Sequence, residues 1–220
     1  MAISSEQIKK EVVDQLYWDS SVDASRVKVE VYDGKVILSG SVPSHSARRA
    51  AYRDAIIVPG VTSVDNDLAV EPPQGIMTAS DDEIRNRVDN VLLRDPDIDS
   101  SDMNVIVDAA WVTLNGTVDA YWKKIRAEDL VSNVTGVLGV TNSLAVVPSE
   151  SVTDKAIADN IMAELGRNIY IDVNDITLEV EDGFVTLYGR VPNGTAYLAA
   201  YNAAAYTPGV IDVNNNLRIE

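Results

Sequence analysis

The sequence has no cysteine, one histidine and one phenylalanine. Without cysteine, disulfide bonds and thiolate metal sites are excluded, and redox chemistry says nothing about the compartment. Basic residues are also scarce, since 18 Lys and Arg stand against 34 Asp and Glu and give a net charge of −16. Nucleic-acid affinity comes mostly from basic side chains, so we expect no nucleic-acid partner. The same charge disfavours the anionic face of a membrane.

Long apolar runs are missing as well. No segment approaches the roughly 18 apolar residues of a membrane span, so we expect no transmembrane segment. Residues 1–6 have neither a basic start nor an apolar run. The sequence as it stands therefore predicts a cytoplasmic protein, and the alternative is a periplasmic protein whose secretory signal has been removed.

One unit is present three times in the chain. Residues 36–42 (VILSGSV) return as residues 112–118 (VTLNGTV) and again as residues 185–191 (VTLYGRV). In each copy a Gly-Val pair follows the glycine of this motif 20 residues later. The repeat periods of 76 and 73 residues indicate a small domain rather than a solenoid repeat. We predict domains at 1–71, 78–147 and 151–220, joined by linkers at 71–79 and 147–152.

Each copy predicts the element order α-β-β-α-β. Apolar residues four apart indicate a first helix, alternating β-branched residues indicate strands, and an alanine-rich second helix lies between the two glycine motifs. We place this second helix at 44–58, 120–133 and 194–206. The predicted fold class is α+β, with three tandem units that each lay two helices on one face of a three-stranded mixed sheet.

Local signals add detail to the unit. Ser4 with Gln7 and Ser80 with Glu83 predict capping boxes, whereas Thr153 predicts a simple cap. Asp33-Gly34 and Asp182-Gly183 predict type I′ hairpin turns, because both central positions need a positive φ. Ala109-Ala110 in the second copy predicts a different or longer turn. The glycine of the strand motif indicates a bulge or a close approach of another backbone.

These patterns resemble the BON domain, a family named for bacterial osmotically inducible and nodulation-associated proteins. The resemblance rests on the element order, the Val-x-Leu-x-Gly-x-Val strand and the Gly-Val-x-x-Val-x-Asn-x-Leu strand, and it covers residues 4 to 219. It implies a non-enzymatic module that binds phospholipid or other envelope components in stress response or envelope maintenance. It carries over no catalytic residue and implies no cofactor.

Few residues suggest chemistry of their own. His45 is alone at the start of a helix, and we interpret it as a surface residue rather than a general base. The acidic run that begins at Asp95 and ends at Asp102 resembles half of a calcium loop, but Ser100 and Ile106 stand where an EF-hand needs glycine and glutamate. We therefore expect a solvated acidic turn and no metal site, with a weak calcium site as the alternative.

Aromatic and basic residues cluster at one place. Tyr121, Trp122, Lys123, Lys124 and Arg126 begin the second helix of the middle copy, and we call them the contact cluster. Trp and Tyr favour a boundary between apolar and wet phases, so the cluster predicts contact with lipid or a partner. The alternative is that one aromatic packs on the sheet and the other covers a seam between units. Tyr17-Trp18 in the first copy allows the same two interpretations.

Two functions follow as hypotheses. The first is a non-enzymatic binding protein whose partner is phospholipid or an envelope protein. The alternative is a structural protein that self-assembles into homo-oligomers through contacts between BON units, which would cover exposed strand edges.

Overall fold

The computed structural model describes residues 3–71 and 79–220. The predicted linker at 71–79 lies almost wholly outside these described residues. The three copies form three units with the same main elements in the predicted order α-β-β-α-β. The fold class is therefore confirmed, and each unit has its own sheet.

The helices and strands have these bounds. Unit 1 consists of α1 (Ser5–Trp18), β1 (Val27–Tyr32), β2 (Lys35–Val42), α2 (His45–Ile56) and β3 (Ser63–Val70). Unit 2 consists of α3 (Asp81–Arg94), β4 (Met103–Asp108), β5 (Trp111–Val118), α4 (Tyr121–Ser132) and β6 (Gly139–Val146). Unit 3 consists of α5 (Asp154–Arg167), β7 (Ile176–Glu181), β8 (Phe184–Val191), α6 (Gly194–Ala205) and β9 (Asp212–Ile219).

Each sheet has the glycine-motif strand at its centre. This strand pairs antiparallel with the strand before it and parallel with the strand that follows the second helix. The inward side chains of the sheet and the apolar stripe of the first helix, such as Ile8, Val12 and Leu16, are almost fully buried. Both helices thus cover one face of each sheet, and the other face is left open.

The glycine of the strand motif is required by a close backbone contact. Gly40 has a φ of +106°, and a Cβ at this position would overlap the carbonyl oxygen of Arg26. Gly116 and Gly189 meet Asp102 and Asp175 in the same way. The sequence interpretation of a close backbone approach is confirmed in all three units.

The turn prediction for unit 2 was wrong. Ala109 and Ala110 have φ values of 48° and 63°, so two alanines occupy the same left-handed turn as the Asp-Gly pairs of units 1 and 3. The side chain of Asp81 accepts hydrogen bonds from both of their backbone N–H groups, at 2.9 and 2.8 Å. Such charge-assisted bonds hold the loop in a conformation that alanine disfavours on its own. Asp154 bonds the turn of unit 3 in the same way.

One of the two predicted capping boxes does not form. Ser80 and Glu83 form the predicted reciprocal box, and Thr153 caps α5. Ser4 accepts from the backbone N–H of Gln7, but the amide of Gln7 donates to Glu11 at 2.5 Å instead of serving the cap. A reciprocal box would have the side-chain oxygen of Gln7 accept from the backbone N–H of Ser4. The bond to the charged carboxylate of Glu11, one turn along the helix, holds the Gln7 side chain in another orientation.

Candidate functional site

The second helices of the three units meet one another. At the seam between units 1 and 2, Arg49 from α2 reaches the last two turns of α4. Its guanidinium lies 2.6 Å from a carboxylate oxygen of Asp129 and 3.8 Å from one of Glu128. It also donates to the hydroxyl of Ser132 at 3.2 Å. The first seam is therefore made of partly exposed ionic contacts.

The seam between units 2 and 3 is aromatic. The hydroxyls of Tyr121 and Tyr201 lie 3.2 Å apart. Trp122 stacks on Tyr206 with the ring centroids 6.3 Å apart and the planes 13° from parallel. Tyr121 is only 8% exposed, and burial followed by the hydrogen bond to Tyr201 raises its pKa well above the usual range. This seam joins the apolar interiors of units 2 and 3 into one continuous core.

The seam between units 3 and 1 is a backbone contact. Gly194, the first residue of α6, lies so close to α2 that a Cβ there would overlap the carbonyl oxygen of Ile56. Leu198, one turn further along α6, packs on the core of unit 1. The absence of a side chain at Gly194 is what permits this approach.

The three seams use equivalent parts of the units. In each, the first half of one second helix meets the final turns of the next, in the order α2 to α4, α4 to α6 and α6 to α2. The units therefore close a ring of approximate three-fold symmetry around their second helices. Sequence analysis missed this ring, although Gly194, where the other copies have His45 and Tyr121, was a usable signal of a close backbone contact.

The contact cluster lies at the start of α4, and most of its groups have partners within the chain. Tyr121 and Trp122 both contact unit 3, so two rings cover the seam where the alternative expected one ring there and the other on the sheet. Lys123 lies 2.8 Å from a carboxylate oxygen of Asp119 and 5.7 Å from the centroid of the Trp122 ring. Arg126 holds the buried carboxylate of Asp95 at 2.9 Å, and Lys124 is partly exposed. A contact of this cluster with lipid or a partner stays a prediction.

The rings of Tyr17 and Trp18 contact each other edge to face, with their centroids 5.6 Å apart. They are 74% and 80% exposed at the end of α1, so the packing interpretation was wrong for this pair. Leu93 is 73% exposed at the end of α3, and Ile169 is 87% exposed just after α5. Every unit thus presents a large apolar side chain at the C-terminal end of its first helix. We call these three places the apolar tips.

Three titratable groups around α2 of unit 1 have shifted pKa values. Burial, followed by the neighbouring carboxyl of Asp19, raises the pKa of Asp54 to about 6. Hydrogen bonds from Ser21 lower the pKa of Asp19. Burial, followed by Arg49, lowers the pKa of His45, and its Nδ1 has no hydrogen-bond partner among the described residues. His45 is half-buried rather than a surface residue, and the shift keeps its imidazole neutral at pH 7.

The acidic run of unit 2 serves the local fold. Asp95 binds Arg126, and the carboxylate of Asp99 accepts a hydrogen bond from the backbone N–H of Ser101. Across residues 3–71 and 79–220, no group of three or more acidic or histidine side chains is placed to hold a metal ion. In the same part of the chain, no helix combines the length and the apolarity that crossing a bilayer requires.

The fold and the seams define a tandem of three small α+β modules closed into a ring. The chain belongs to the BON-domain family, since the family model of the BON domain matches residues 4–72, 80–148 and 153–220. The resemblance drawn from the two glycine motifs is confirmed in all three copies.

Several bacterial proteins are similar to this chain. Osmotically-inducible protein Y of Escherichia coli is 30% identical over 141 residues, which cover 63% of this chain and 68% of that protein. The outer membrane lipoprotein DolP of Haemophilus influenzae is 29% identical over 137 residues, covering 61% and 70%. A 21 kDa hemolysin of Actinobacillus pleuropneumoniae is 28% identical over the same coverage.

Among solved structures, the C-terminal domain of CdsD, the structural protein of the type III secretion system of Chlamydia trachomatis, aligns with 99% of this chain and 100% of its own length. The identity is 11% and the TM-score is 0.27. At that score no structural relationship is inferred.

Proposed function

We propose that this chain is a non-enzymatic binding protein of the bacterial envelope, and that its partner is phospholipid. Membership of the BON family and the names of two relatives, one an outer membrane lipoprotein and one osmotically inducible, support the envelope setting. The same names favour the periplasmic alternative over the cytoplasmic expectation. We take residues 1–71, 78–147 and 151–220 as the three domains of this protein.

The apolar tips are the observation that carries the lipid proposal. Exposed aromatic and aliphatic side chains stand at, or just after, the C-terminal end of the first helix in all three units: Tyr17, Trp18, Leu93, Ile169 and Tyr170. A ring with approximate three-fold symmetry holds equivalent parts at the same height along its axis. We propose that the three tips lie on one side of the ring, as a protein that rests on a flat surface requires.

A bilayer interface suits these side chains chemically. Trp and Tyr prefer the headgroup level, where the ring is apolar and its polar atom stays wet. Burying one large apolar side chain contributes about 2 kcal/mol. Three tips on one rigid body act together, so weak single contacts add up to stable binding. Because the chain is strongly acidic, we expect zwitterionic vesicles to be bound at least as well as anionic ones.

The contact cluster would be a second lipid-binding site, apart from the tips. Lys124 is its one cation that forms no ion pair among the described residues. If the cluster touches headgroups as the sequence predicts, Lys124→Glu will weaken binding to anionic vesicles more than binding to zwitterionic ones. The tips and the cluster can thus be tested apart.

Vesicle co-sedimentation at low salt tests the proposal. The tip variant Tyr17→Ser/Trp18→Ser/Leu93→Ser/Ile169→Ser should bind phosphatidylcholine vesicles at least tenfold less than the parent protein. The matched control Tyr32→Ser/Phe184→Ser removes exposed aromatics from the sheet faces and should bind normally. If the parent protein binds neither phosphatidylcholine nor phosphatidylglycerol vesicles, the lipid proposal fails.

Self-assembly is the second candidate, and the sheet edges favour it. In each sheet the outer strands pair on one side only within the described residues. Such edges accept further strands from another chain. Light scattering at micromolar concentration would give a multiple of the 23.8 kDa chain mass if copies assemble, and a single-chain mass would count against it.

A further inference from the structure

The open face of the sheet in unit 2 differs in charge from the rest of the molecule. Its residues form rows across the three strands, in register: Ile106, Thr113 and Thr141, then Asn104, Asn115 and Ser143. These side chains are exposed or partly exposed, and none of them is charged. The nearest row contains Asp108, which lies in register with Trp111. Two rows without any charged side chain are unusual on a chain of net charge −16.

A tryptophan lies flat at one end of this face. The indole Nε1 of Trp111 donates to the hydroxyl of Thr141 on the neighbouring strand at 2.9 Å. A Cβ on Gly139 would lie 2.5 Å from the Trp111 ring, so the ring covers that glycine. One side of the indole rests on the sheet, and the side chain is still 47% exposed. The ring is therefore held in a fixed orientation and presents its other side to solvent.

The other two units do not build this arrangement. The positions of Trp111 and Gly139 are held by Lys35 and Ser63 in unit 1 and by Phe184 and Asp212 in unit 3. In unit 1, Lys35 instead forms an ion pair with Asp65 at 2.6 Å across the same face. Only unit 2 has a glycine beneath an aromatic ring at this position, so the flat orientation of the ring is particular to this unit.

We propose that the open face of unit 2 binds an uncharged polysaccharide, with Trp111 as its stacking platform. The face of an indole is electronegative, and the C–H groups on the flat side of a sugar ring carry partial positive charge, so the two surfaces attract. The hydroxyls of Thr113 and Ser143 and the amide of Asn115 offer donors and acceptors to sugar hydroxyl and acetamido groups. The flat area from Trp111 to Asn115 measures roughly 13 Å by 10 Å, which suits a short stretch of an extended glycan.

Charge selects this occupant over others. An anionic ligand finds no cation in these rows, and the carboxylate of Asp108 lies in register with Trp111. A neutral glycan can form hydrogen bonds with the uncharged polar side chains of these rows and can stack a sugar ring on Trp111. This inference goes beyond the lipid proposal and uses a different face, so either can fail alone.

The test is a titration of the full-length protein with chitotetraose and cellotetraose, followed by amide and indole NMR signals. We expect shifts on β4, β5 and β6 and at the indole N–H of Trp111, with millimolar or tighter affinity. Trp111→Ala should weaken binding at least tenfold, and Thr141→Val, which leaves the ring but removes its hydrogen bond, should weaken it several-fold. Trp18→Ala, which removes an exposed tryptophan elsewhere, should bind like the parent protein.

Circular dichroism and the thermal midpoint would confirm that the variants fold. Absence of shifts with both sugars, or shifts confined to another unit, would overturn the proposal. Equal affinity of a folded Trp111→Ala variant would do the same. Loss of an oligomer on Trp111→Ala, without sugar binding by the parent protein, would assign the face to a second copy of the chain and also overturn it.

Discussion

The first and second seams join the same parts of neighbouring units with different chemistry. At the seam of units 1 and 2, Arg49 meets Glu128 and Asp129, and the three side chains are 32%, 34% and 41% exposed. At the seam of units 2 and 3, Tyr121 is buried against Tyr201. Partly exposed ion pairs contribute little, since solvent screens them, whereas a buried aromatic ring contributes several kcal/mol.

This difference teaches that ring closure does not depend on one kind of interaction. The ends of the second helices meet at all three seams. The seams differ in the side chains that lie between those ends. The aromatic seam and the close backbone contact at Gly194 should therefore carry most of the stability of the ring, and the ionic seam should mainly orient its partners. Four changes test this ranking.

The largest expected effect is at the aromatic seam. Tyr121→Ala removes a buried ring and leaves the hydroxyl of Tyr201 without its partner, so we expect a loss of about 3 kcal/mol in the free energy of unfolding. Urea unfolding measures it. The control Tyr17→Ala removes a 74% exposed ring and should change the value by less than about 0.5 kcal/mol. Equal losses for the two variants would refute the ranking.

Next in size is the backbone seam. Gly194→Ala would force a Cβ into the carbonyl oxygen of Ile56, so we expect a loss of about 2 kcal/mol and faster proteolysis between units. Gly166→Ala is the matched control, because a Cβ there meets only the side chain of Val173 at 3.9 Å. Gly166 lies in the last turn of α5, where alanine should be neutral or stabilise by less than about 1 kcal/mol. Tolerance of alanine at Gly194 would show that the third seam is loose.

Alkaline pH should weaken the second seam and spare the first. The pKa values of Tyr121 and Tyr201 are raised by burial, so the folded state keeps protons that the unfolded state releases above its pKa of about 10. Their stabilisation is therefore fully present below about pH 10 and is lost as the pH rises further. The side-chain contacts made by Arg49 at the first seam involve no tyrosine.

Urea midpoints at about pH 8 and pH 10.5 measure this loss, which we expect to be about 1 kcal/mol. Tyr121→Phe/Tyr201→Phe should show a smaller loss, although Tyr52 and Tyr197 also have raised pKa values. An unchanged pH dependence in the double variant would mean that the seam tyrosines do not cause it.

The smallest effect is expected at the ionic seam. Arg49→Met keeps most of the aliphatic side chain and removes the ion pairs, so the loss should be below about 1 kcal/mol at low salt. It should vanish near 1 M NaCl, where the Debye length is about 3 Å. Lys10→Met removes an exposed cation from α1 and serves as the control for net charge. A salt-independent loss larger than that of Tyr121→Ala would show that the ionic seam contributes more stability than the aromatic seam.

Much of each unit could be predicted from local pattern. The four-residue spacing of Ile8, Val12 and Leu16 identified the buried stripe of α1, and the Asp-Gly pairs identified two of the three hairpin turns. The turn at Ala109-Ala110 was missed because Asp81, 28 residues earlier, stabilises it. Local sequence carries no trace of that distant carboxylate.

The candidate sites were less predictable for the same reason. The contact cluster was identified from the composition at the start of α4, but its aromatic rings are packed against unit 3. The platform of Trp111 was not recognised, because the register that sets Gly139 beneath the ring belongs to a pair of strands separated by α4.

By itself, the sequence determined the three-fold repeat, the element order in every unit and the family to which they belong. These follow from the periodicity of apolar residues and from glycines that no other residue can replace. Only the tertiary structure decided which helix ends meet, which aromatic rings are buried at a seam and which remain exposed at a tip. Those outcomes depend on contacts between residues far apart in the chain. Such contacts form only when the three units pack against one another in the ring.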